Sequence, residues 1–161
     1  FKIRSISSNT TSALLGSREM GKVDMNRRHQ REISQQYADK FRTKIVSLDD
    51  LIGSLSGGNQ QKVVISRALS TRPKVVILDE PTRGIDAAAR SDVYGIIRQL
   101  KEEGVAVLMV SSDIEEVVEL ADRAITIFQG RINGEFSHDE ISQDALTSAS
   151  FGIGHERVVA K

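Results

Sequence analysis

Two short runs of apolar residues, with one amphipathic helix between them, constrain the fold of this chain more than any other feature. The runs cover residues 75–78 and 105–110, and neither alternates with polar residues. Such runs are typical of strands buried on both faces of a parallel sheet. The pattern between them predicts a helix that begins after a capping Asp86 and ends before Gly104. Strand, helix and strand in this order predict a βαβ unit and hence an α/β fold.

Weaker patterns follow this unit. The sequence predicts a helix over residues 114–120, a strand over residues 124–128 and, after a Gln-Gly turn, a strand over residues 131–136. We interpret the two strands as an edge hairpin. A capping box formed by Ser137 and Glu140 predicts that a short terminal helix starts there.

The first part of the chain is polar. Residues 1–23 are rich in Ser and Thr without firm periodicity, so we expect irregular structure there. A helical pattern then runs from an N-cap at Asp24 to about Lys44. Its many charges favour a solvated helix laid over the domain. The apolar residues on one face of this helix are Ile33, Tyr37 and Phe41.

Composition excludes several classes of protein. The 161 residues carry 22 basic and 22 acidic side chains, a balance that argues against a nucleic-acid partner bound through a basic face. The absence of cysteine excludes disulfides, thiolate zinc sites and cysteine nucleophiles. The longest apolar run is far below the roughly 20 residues that span a bilayer. We therefore expect a soluble protein of a reducing compartment, and the initial Phe1 suggests a piece of a longer chain.

One glycine pair precedes a predicted helix that ends near Leu69. Ser56 can cap this helix, and Gly57 and Gly58 allow backbone N–H groups to approach an anion closely. The pattern indicates a phosphate-binding helix start. An ordinary Ser-Gly-Gly junction between loop and helix is the alternative.

Two carboxylates stand where the first predicted strand ends, which is the usual ligand position in an open α/β sheet. Asp79 is placed to hold a magnesium ion through water, and Glu80 to polarise an attacking water. An acidic turn at the strand end is the alternative. The following residues 82–86 read as a turn and an N-cap.

Together these patterns resemble the ATP-binding cassette (ABC) ATPases. Residues 55–58 resemble the family's signature motif, residues 77–81 its Walker B strand and residues 84–86 its D-loop. The segments 59–62, 82–86 and 111–113 further resemble the second cassette of monosaccharide importers of the ribose, galactose, xylose and arabinose type. The resemblance covers about residues 45–150.

The resemblance implies a partial, P-loop NTPase-like ABC nucleotide-binding domain of α/β class, with a parallel-sheet core, flanking helices and a C-terminal edge hairpin. Residues 1–54 would be a remnant of the helical subdomain with an irregular start. Residues 55–150 would hold the signature helix and the C-terminal half of the core, and residues 151–161 a loose tail.

The resemblance also implies site residues for ATP and Mg²⁺. It assigns Asp79 to the metal, Glu80 to the general base and Asp86 to contact with the facing cassette. Ser112 stands where most members carry a histidine that contacts the γ-phosphate, and a serine hydroxyl cannot carry that charge. The residues assigned to ATP held by the opposing cassette are Ser56, Gly57 and Gly58, with Asn59 and Gln60 beside them.

None of the sequence motifs matches the P-loop that an ATPase uses to bind phosphate. Residues 16–22 read Gly, four residues, Gly-Lys, but Val23 replaces the Ser or Thr that the motif needs for Mg²⁺. We interpret this segment as a decoy and the chain as the C-terminal part of a second cassette that binds ATP weakly alone. The histidines, expected on the surface, are His29, His138 and His155.

The predicted function is ATP hydrolysis that drives a bacterial sugar importer. The implied partners are a second cassette, membrane permease subunits and, indirectly, a periplasmic sugar-binding protein, with no nucleic acid. The implied location is the cytoplasmic face of the inner membrane. A non-catalytic cassette that only dimerises or regulates is the alternative. A chromosome-repair ATPase is disfavoured because heptads flanking the cassette are not seen.

Overall fold

The computed structural model describes residues 2–15 and 27–153, which form helices and strands in two compact units. The first unit ends at Val110 and the second begins at Ser111. Short 3-10 turns add to these elements at Ser12–Leu14, Ile52–Ser54 and His138–Glu140. In chain order, the elements are α1 (Ile6–Thr11), α2 (Arg27–Lys40), α3 (Gly57–Leu69), β1 (Val75–Asp79), α4 (Ala87–Glu102), β2 (Ala106–Val110), α5 (Ile114–Leu120), β3 (Arg123–Phe128), β4 (Arg131–Ser137) and α6 (Gln143–Ser150).

The predicted βαβ unit is confirmed. β1 and β2 pair in parallel from Val75 opposite Ala106 to Asp79 opposite Val110. The connecting α4 begins after Asp86, whose carboxylate accepts the Ala89 N–H at 2.9 Å. The chain leaves the helix through Gly104 at φ 77°. The buried stripe of α4 consists of Val93, Ile96, Ile97 and Leu100.

Burial of this sheet differs from the prediction. Val76 and Leu78 are buried, whereas Val75 is 59% exposed and Ile77 68% exposed. The described residues therefore cover one face of the two-stranded sheet. The expectation of two covered faces is wrong for this part of the chain, because continuous apolar runs do not specify how many layers pack on a strand.

The prediction of irregular structure before residue 23 is wrong for α1. This helix begins at a cap in which the Ser8 N–H donates to the Ser5 hydroxyl oxygen at 3.2 Å. Hydroxyl groups inside the helix then bond backbone carbonyls one turn earlier, Thr10 to Ile6 at 3.0 Å, and a second threonine does the same. Side chains that look solvated in the sequence are therefore satisfied locally and buried.

The polar helix α2 is also buried differently from the prediction. Its buried face consists of Gln30, Ser34 and Ala38. Gln30 donates to the Thr11 hydroxyl at 3.0 Å, and Ser34 donates to the Ser7 carbonyl at 3.3 Å. Many other residues of α2 are exposed, in agreement with a solvated helix laid over the domain, but these contacts with α1 are polar.

The bounds of α2 also differ from the expected residues 24–44. The helix ends at Lys40 because the chain turns at Arg42 with φ 49°. Asp24, the predicted cap, lies outside the described residues, as do the Gly-Lys segment before it and His155.

The hairpin of the second unit is confirmed. β3 and β4 pair antiparallel, joined by Gln129 and Gly130 with φ 48° and 76°, a turn geometry that matches strand twist. Ala124 and Phe136 form a buried cluster with α6 residues Leu146 and Ala149.

The terminal helix begins later than predicted. The capping box is present, with the Ser137 N–H donating to the Glu140 carboxylate at 2.9 Å, but it closes only a 3-10 turn. α6 starts after its own cap, where Ser142 accepts the Ala145 N–H at 3.2 Å. The domain boundaries at residues 54 and 150 stay predictions.

Candidate functional site

The N-terminus of α3 carries the first candidate residues. Ser56 occupies the N-cap position as predicted, but its side chain makes no cap bond to the backbone. Its hydroxyl oxygen instead accepts the side-chain amide of Asn59 at 2.9 Å. Within the described part of the chain, the N–H groups of Gly57, Gly58 and Asn59 find no hydrogen-bond partner. These three donors face the same helix end, where the helix dipole favours an anion.

Asn59 and Gln60 hold this helix end to the loop before it. The side-chain amide oxygen of Asn59 accepts the Lys44 N–H at 2.9 Å. Gln60 donates to the Leu55 carbonyl at 2.7 Å. Both side chains are thus engaged within the protein and shape the glycine segment. Their direct contact with a nucleotide stays a prediction.

The two glycines also pack against the start of α4. A Cβ atom at Gly58 would overlap the Cβ of Ala89 and lie 3.4 Å from its Cα. A Cβ at Gly57 would lie at an ordinary 3.5 Å from Ile85. The structure therefore brings residues 57–58, predicted to belong to the signature motif, next to the predicted D-loop at Ile85. Close packing is a second physical reason for glycine at residue 58, and no sequence signal revealed it.

Lys62 and Asp92 join the same two helices, and sequence reasoning missed both. Lys62 is buried, and its ammonium donates to Asp92 at 2.8 Å and to the Arg42 carbonyl at 3.3 Å. A lysine within a predicted helix is ordinarily a solvated residue, so the pattern offered no signal.

The carboxylates lie at the end of β1, as predicted. The Asp79 side chain is exposed, and its carboxylate makes no hydrogen bond or ion pair with another described residue. Glu80 adopts the left-handed conformation with φ 48°, and its N–H donates to the Val110 carbonyl at 2.8 Å. A side-chain-bearing residue in this conformation costs about 1–3 kcal/mol, and such strain is found at functional sites. The next residues, Pro81 and Thr82, are buried and fix the turn.

These carboxylates fit Mg²⁺ better than a metal held by protein ligands alone. The described ranges contain no group of three or more His, Cys, Asp or Glu side chains arranged to hold a metal. Mg²⁺ is commonly bound by one or two carboxylates together with water and substrate phosphates. Asp79 offers such a carboxylate, with Glu80 next to it.

Ser112 follows β2 in the sequence and belongs to the second unit, where its side chain is exposed. Its loop is held by neighbours: Ser111 donates to Glu116 at 2.6 Å, and Asp113 caps α5. Glu116 is only 1% exposed, and the sequence reasoning did not single it out. A buried carboxylate thus fixes the segment that carries Ser112.

The described histidines lie apart from these residues in the sequence. His138 is exposed, as predicted, and His29 lies 3.7 Å from the Glu32 carboxylate.

The parallel strand–helix–strand unit and its flanking helices place the chain in the α/β class of P-loop NTPase-like cassettes. The sequence profile of the ABC transporter family matches residues 3–83. This match covers half of the chain, and the chain belongs to the ABC transporter family.

Similarity to a curated relative supports this assignment. The chain is 46% identical over 116 residues to the xylose import ATP-binding protein XylG of Moorella thermoacetica (strain ATCC 39073 / JCM 9320), a match that covers 72% of this chain and 23% of XylG. The chain thus spans less than a quarter of that relative's length.

Solved structures share the fold. One is a transporter described as an ABC transporter of the metal-chelate type, in an inward-facing conformation (TM-score 0.75, 21% identity, 94% of this chain and 59% of that chain). Another is the dimeric ATP-binding cassette MJ0796 in a post-hydrolysis state, bound to ADP and Pi (TM-score 0.70, 22% identity, 84% of this chain and 57% of that chain).

Among the described residues, no helix combines the length and apolar character needed to cross a membrane.

Proposed function

We propose that this chain is the C-terminal part of the second cassette of an ATP-hydrolysing subunit that drives a bacterial sugar importer. The observation that carries the proposal is the glycine end of α3, where three backbone donors are unpaired within the described chain and pack beside the D-loop. Membership of the ABC family and the similarity to a xylose import ATP-binding protein support it.

The residues of this chain divide between two ATP sites. Ser56, Gly57 and Gly58 donate hydrogen bonds to the phosphates held by the facing cassette, and Asp86 contacts that cassette. Bound Mg-ATP supplies the scissile phosphoanhydride and the ion that offsets its charge. At its own site, Glu80 would accept a proton from the water that attacks the γ-phosphate as ADP leaves, and Asp79 would hold the ion through water. Ser112 donates a hydrogen bond towards the γ-phosphate.

This proposal implies partners and a location. The facing cassette completes both ATP sites. The permease binds the cassettes at the cytoplasmic face of the inner membrane and responds to ATP hydrolysis. The periplasmic sugar-binding protein is an indirect partner. Nucleic acid has no role.

Sugar uptake by the full-length subunit, assembled with its permease, tests the proposal. We expect Ser56→Arg to reduce uptake more than Glu80→Gln, since Ser112 in place of histidine weakens the site that Glu80 serves. Ser150→Arg, the same substitution at an exposed position on α6, is the matched control and should leave uptake near normal. The reverse order for Ser56→Arg and Glu80→Gln would contradict the division of roles. Wild-type uptake in both variants would favour a cassette that only dimerises or regulates.

Calorimetric titration of Mg-ATP into the 161-residue chain tests whether this part of the subunit binds ATP by itself. We expect weak binding or none, because the chain shows no recognisable P-loop to contact the β- and γ-phosphates. Low-micromolar affinity would contradict this expectation.

A further inference from the structure

Helices α3 and α4 meet at two successive levels. At the first level, Gly58 leaves room for the methyl group of Ala89, which the Cβ of any larger residue at position 58 would overlap. One turn further along α3, the Lys62 ammonium lies 2.8 Å from the Asp92 carboxylate. Residues four apart on a helix lie on the same face. Both contacts therefore fix one face of α3 against the start of α4.

Lys62 is an unusual residue for such a contact. Its side chain is 5% exposed, whereas that of Asp92 is 58% exposed. Removing a charge from water is expensive, and a well-packed apolar side chain often stabilises a fold equally well. The Lys62–Asp92 ion pair is therefore weak evidence that Lys62 is present for stability alone.

The Lys62 ammonium also reaches a third segment. It donates to the carbonyl of Arg42, the left-handed residue that ends the α2 region. Two residues later, the Lys44 N–H binds Asn59, which in turn binds Ser56. One buried cation thus connects the loop before the signature, the signature helix and α4.

We propose that Lys62 is a positioning residue that holds the glycine end of α3 in a fixed relation to Asp86, the cap of α4. The signature segment, which serves one ATP site, and the D-loop, which lies beside the other site's acids in the sequence, then meet the facing cassette as one rigid element. This inference rests on the proposed function. A merely stabilising role for Lys62 is the competing explanation.

Four variants of the full-length subunit separate these roles. They are Lys62→Met, Lys62→Arg, Asp92→Ala and the double variant Lys62→Met with Asp92→Ala. Lys40→Met is the matched control, because the Lys40 ammonium binds Glu103 at 2.7 Å and so attaches the far end of α4. The measurements are kcat, the KM for ATP, the melting temperature and hydrogen exchange of the amides in residues 57–62.

We expect Lys62→Met to lower kcat by about tenfold to a hundredfold, since small displacements of binding groups have effects of this size. The KM for ATP should change little, because Lys62 contacts no nucleotide. Amide exchange in residues 57–62 should rise. Lys62→Arg, which keeps the charge, should recover most of kcat, and Lys40→Met should retain the wild-type kcat.

The double variant distinguishes positioning from stability. It buries no unpaired charge, so its melting temperature should exceed that of Asp92→Ala. If Lys62 positions the helices, kcat stays low in the double variant although stability recovers. Recovery of kcat together with the melting temperature would overturn the inference, as would unchanged exchange in residues 57–62 of Lys62→Met.

A parallel Glu80→Gln variant separates this inference from the proposed function. A fall in hydrolysis in Glu80→Gln together with a normal kcat in Lys62→Met would overturn the positioning role alone. Full hydrolysis in Glu80→Gln would overturn the proposed general base, and the exchange of residues 57–62 would still decide how Lys62 acts on α3.

Discussion

The two ends of the candidate site are built by different means. At the start of α3, side chains determine the geometry: Asn59 bonds both Ser56 and the Lys44 N–H, and Lys62 holds Asp92. At the end of β1, the backbone determines it. There Glu80 is left-handed, and its own N–H attaches to β2.

This difference predicts how each end responds to substitution. The α3 end should be sensitive to loss of side-chain contacts and to added volume, even at residues that never meet a nucleotide. The β1 end should respond to changes in backbone freedom. Replacing Glu80 by glycine should relieve backbone strain there while removing the carboxylate that activity needs. Four measurements of unfolding free energy by denaturant titration test this comparison.

The largest effect is expected from added volume at the α3 end. Gly58→Ala places a methyl group against Ala89 and should lower the unfolding free energy by about 1–3 kcal/mol, the usual range for overpacking. Adding Ala89→Gly should restore part of this loss. Gly57→Ala is the matched control, since its methyl group would meet Ile85 at 3.5 Å, and it should have little effect. Equal losses from both glycines would show that close packing is not the cause.

A backbone effect of opposite sign is expected at the β1 end. Glycine adopts the left-handed conformation freely, so Glu80→Gly should be more stable than Glu80→Ala by about 1 kcal/mol. Under the proposed function, both variants should lose the share of hydrolysis that occurs at the site that Glu80 serves. At the neighbouring Asp79, in a regular strand, the order should reverse, with glycine less stable than alanine. The same order at both positions would contradict a strained Glu80.

Removal of hydrogen bonds at the α3 end should have a moderate effect. Asn59→Ala deletes the bonds to Ser56 and to Lys44 and should lower the unfolding free energy by about 1 kcal/mol. Gln61→Ala is the control, because it removes another half-buried side-chain amide from the same helix, α3. An equal change in both variants would indicate that Asn59 does not organise the loop.

The smallest effect is expected at the far end of α4. The hydrogen bond from Lys40 lowers the pKa of Glu103 below its ordinary value, and Lys40's charge and the Gln99 amide act in the same direction, against the opposing effect of burial. A carboxyl group with a lowered pKa stabilises the fold above its unfolded pKa, and this contribution is lost as the pH falls through the folded pKa.

Glu103→Gln should therefore lower stability at neutral pH by less than about 1 kcal/mol, as expected for a partly exposed pair. The difference from the wild type should vanish below the titration range of glutamate. Glu102→Gln, at an exposed neighbouring position, is the control. A difference that persists at acid pH would exclude the ion pair as its source.

The sequence predicted the βαβ unit because its signals are local and strong. The cap at Asp86, the apolar stripe of α4 and the glycine at residue 104 each act within a few residues. The hairpin turn at Gln129 and Gly130 is equally local. The positions of Asp79 and Glu80 at a strand end follow directly from these elements.

The errors arose where tertiary contacts override local pattern. Threonines of α1 bond their own helix and are covered by α2, so a polar segment became a buried helix. The end of α2 depends on a left-handed turn at Arg42 that no residue type required. The contacts of Gly58 with Ala89 and of Lys62 with Asp92 join residues about 30 positions apart. A single sequence does not predict which distant residues will be in contact.

The polar contact between α1 and α2 has a calorimetric consequence. Gln30, Thr11 and Ser34 meet there through hydroxyl, amide and carbonyl groups. Exposure of polar surface lowers the heat capacity on unfolding, whereas exposure of apolar surface raises it. Detachment of α2 from α1 should therefore show a small heat-capacity change and a free energy with little curvature against temperature. Exposure of the apolar stripe of α4 should give a strongly curved dependence, so cooling should weaken the contact between α1 and α2 less than the packing of α4.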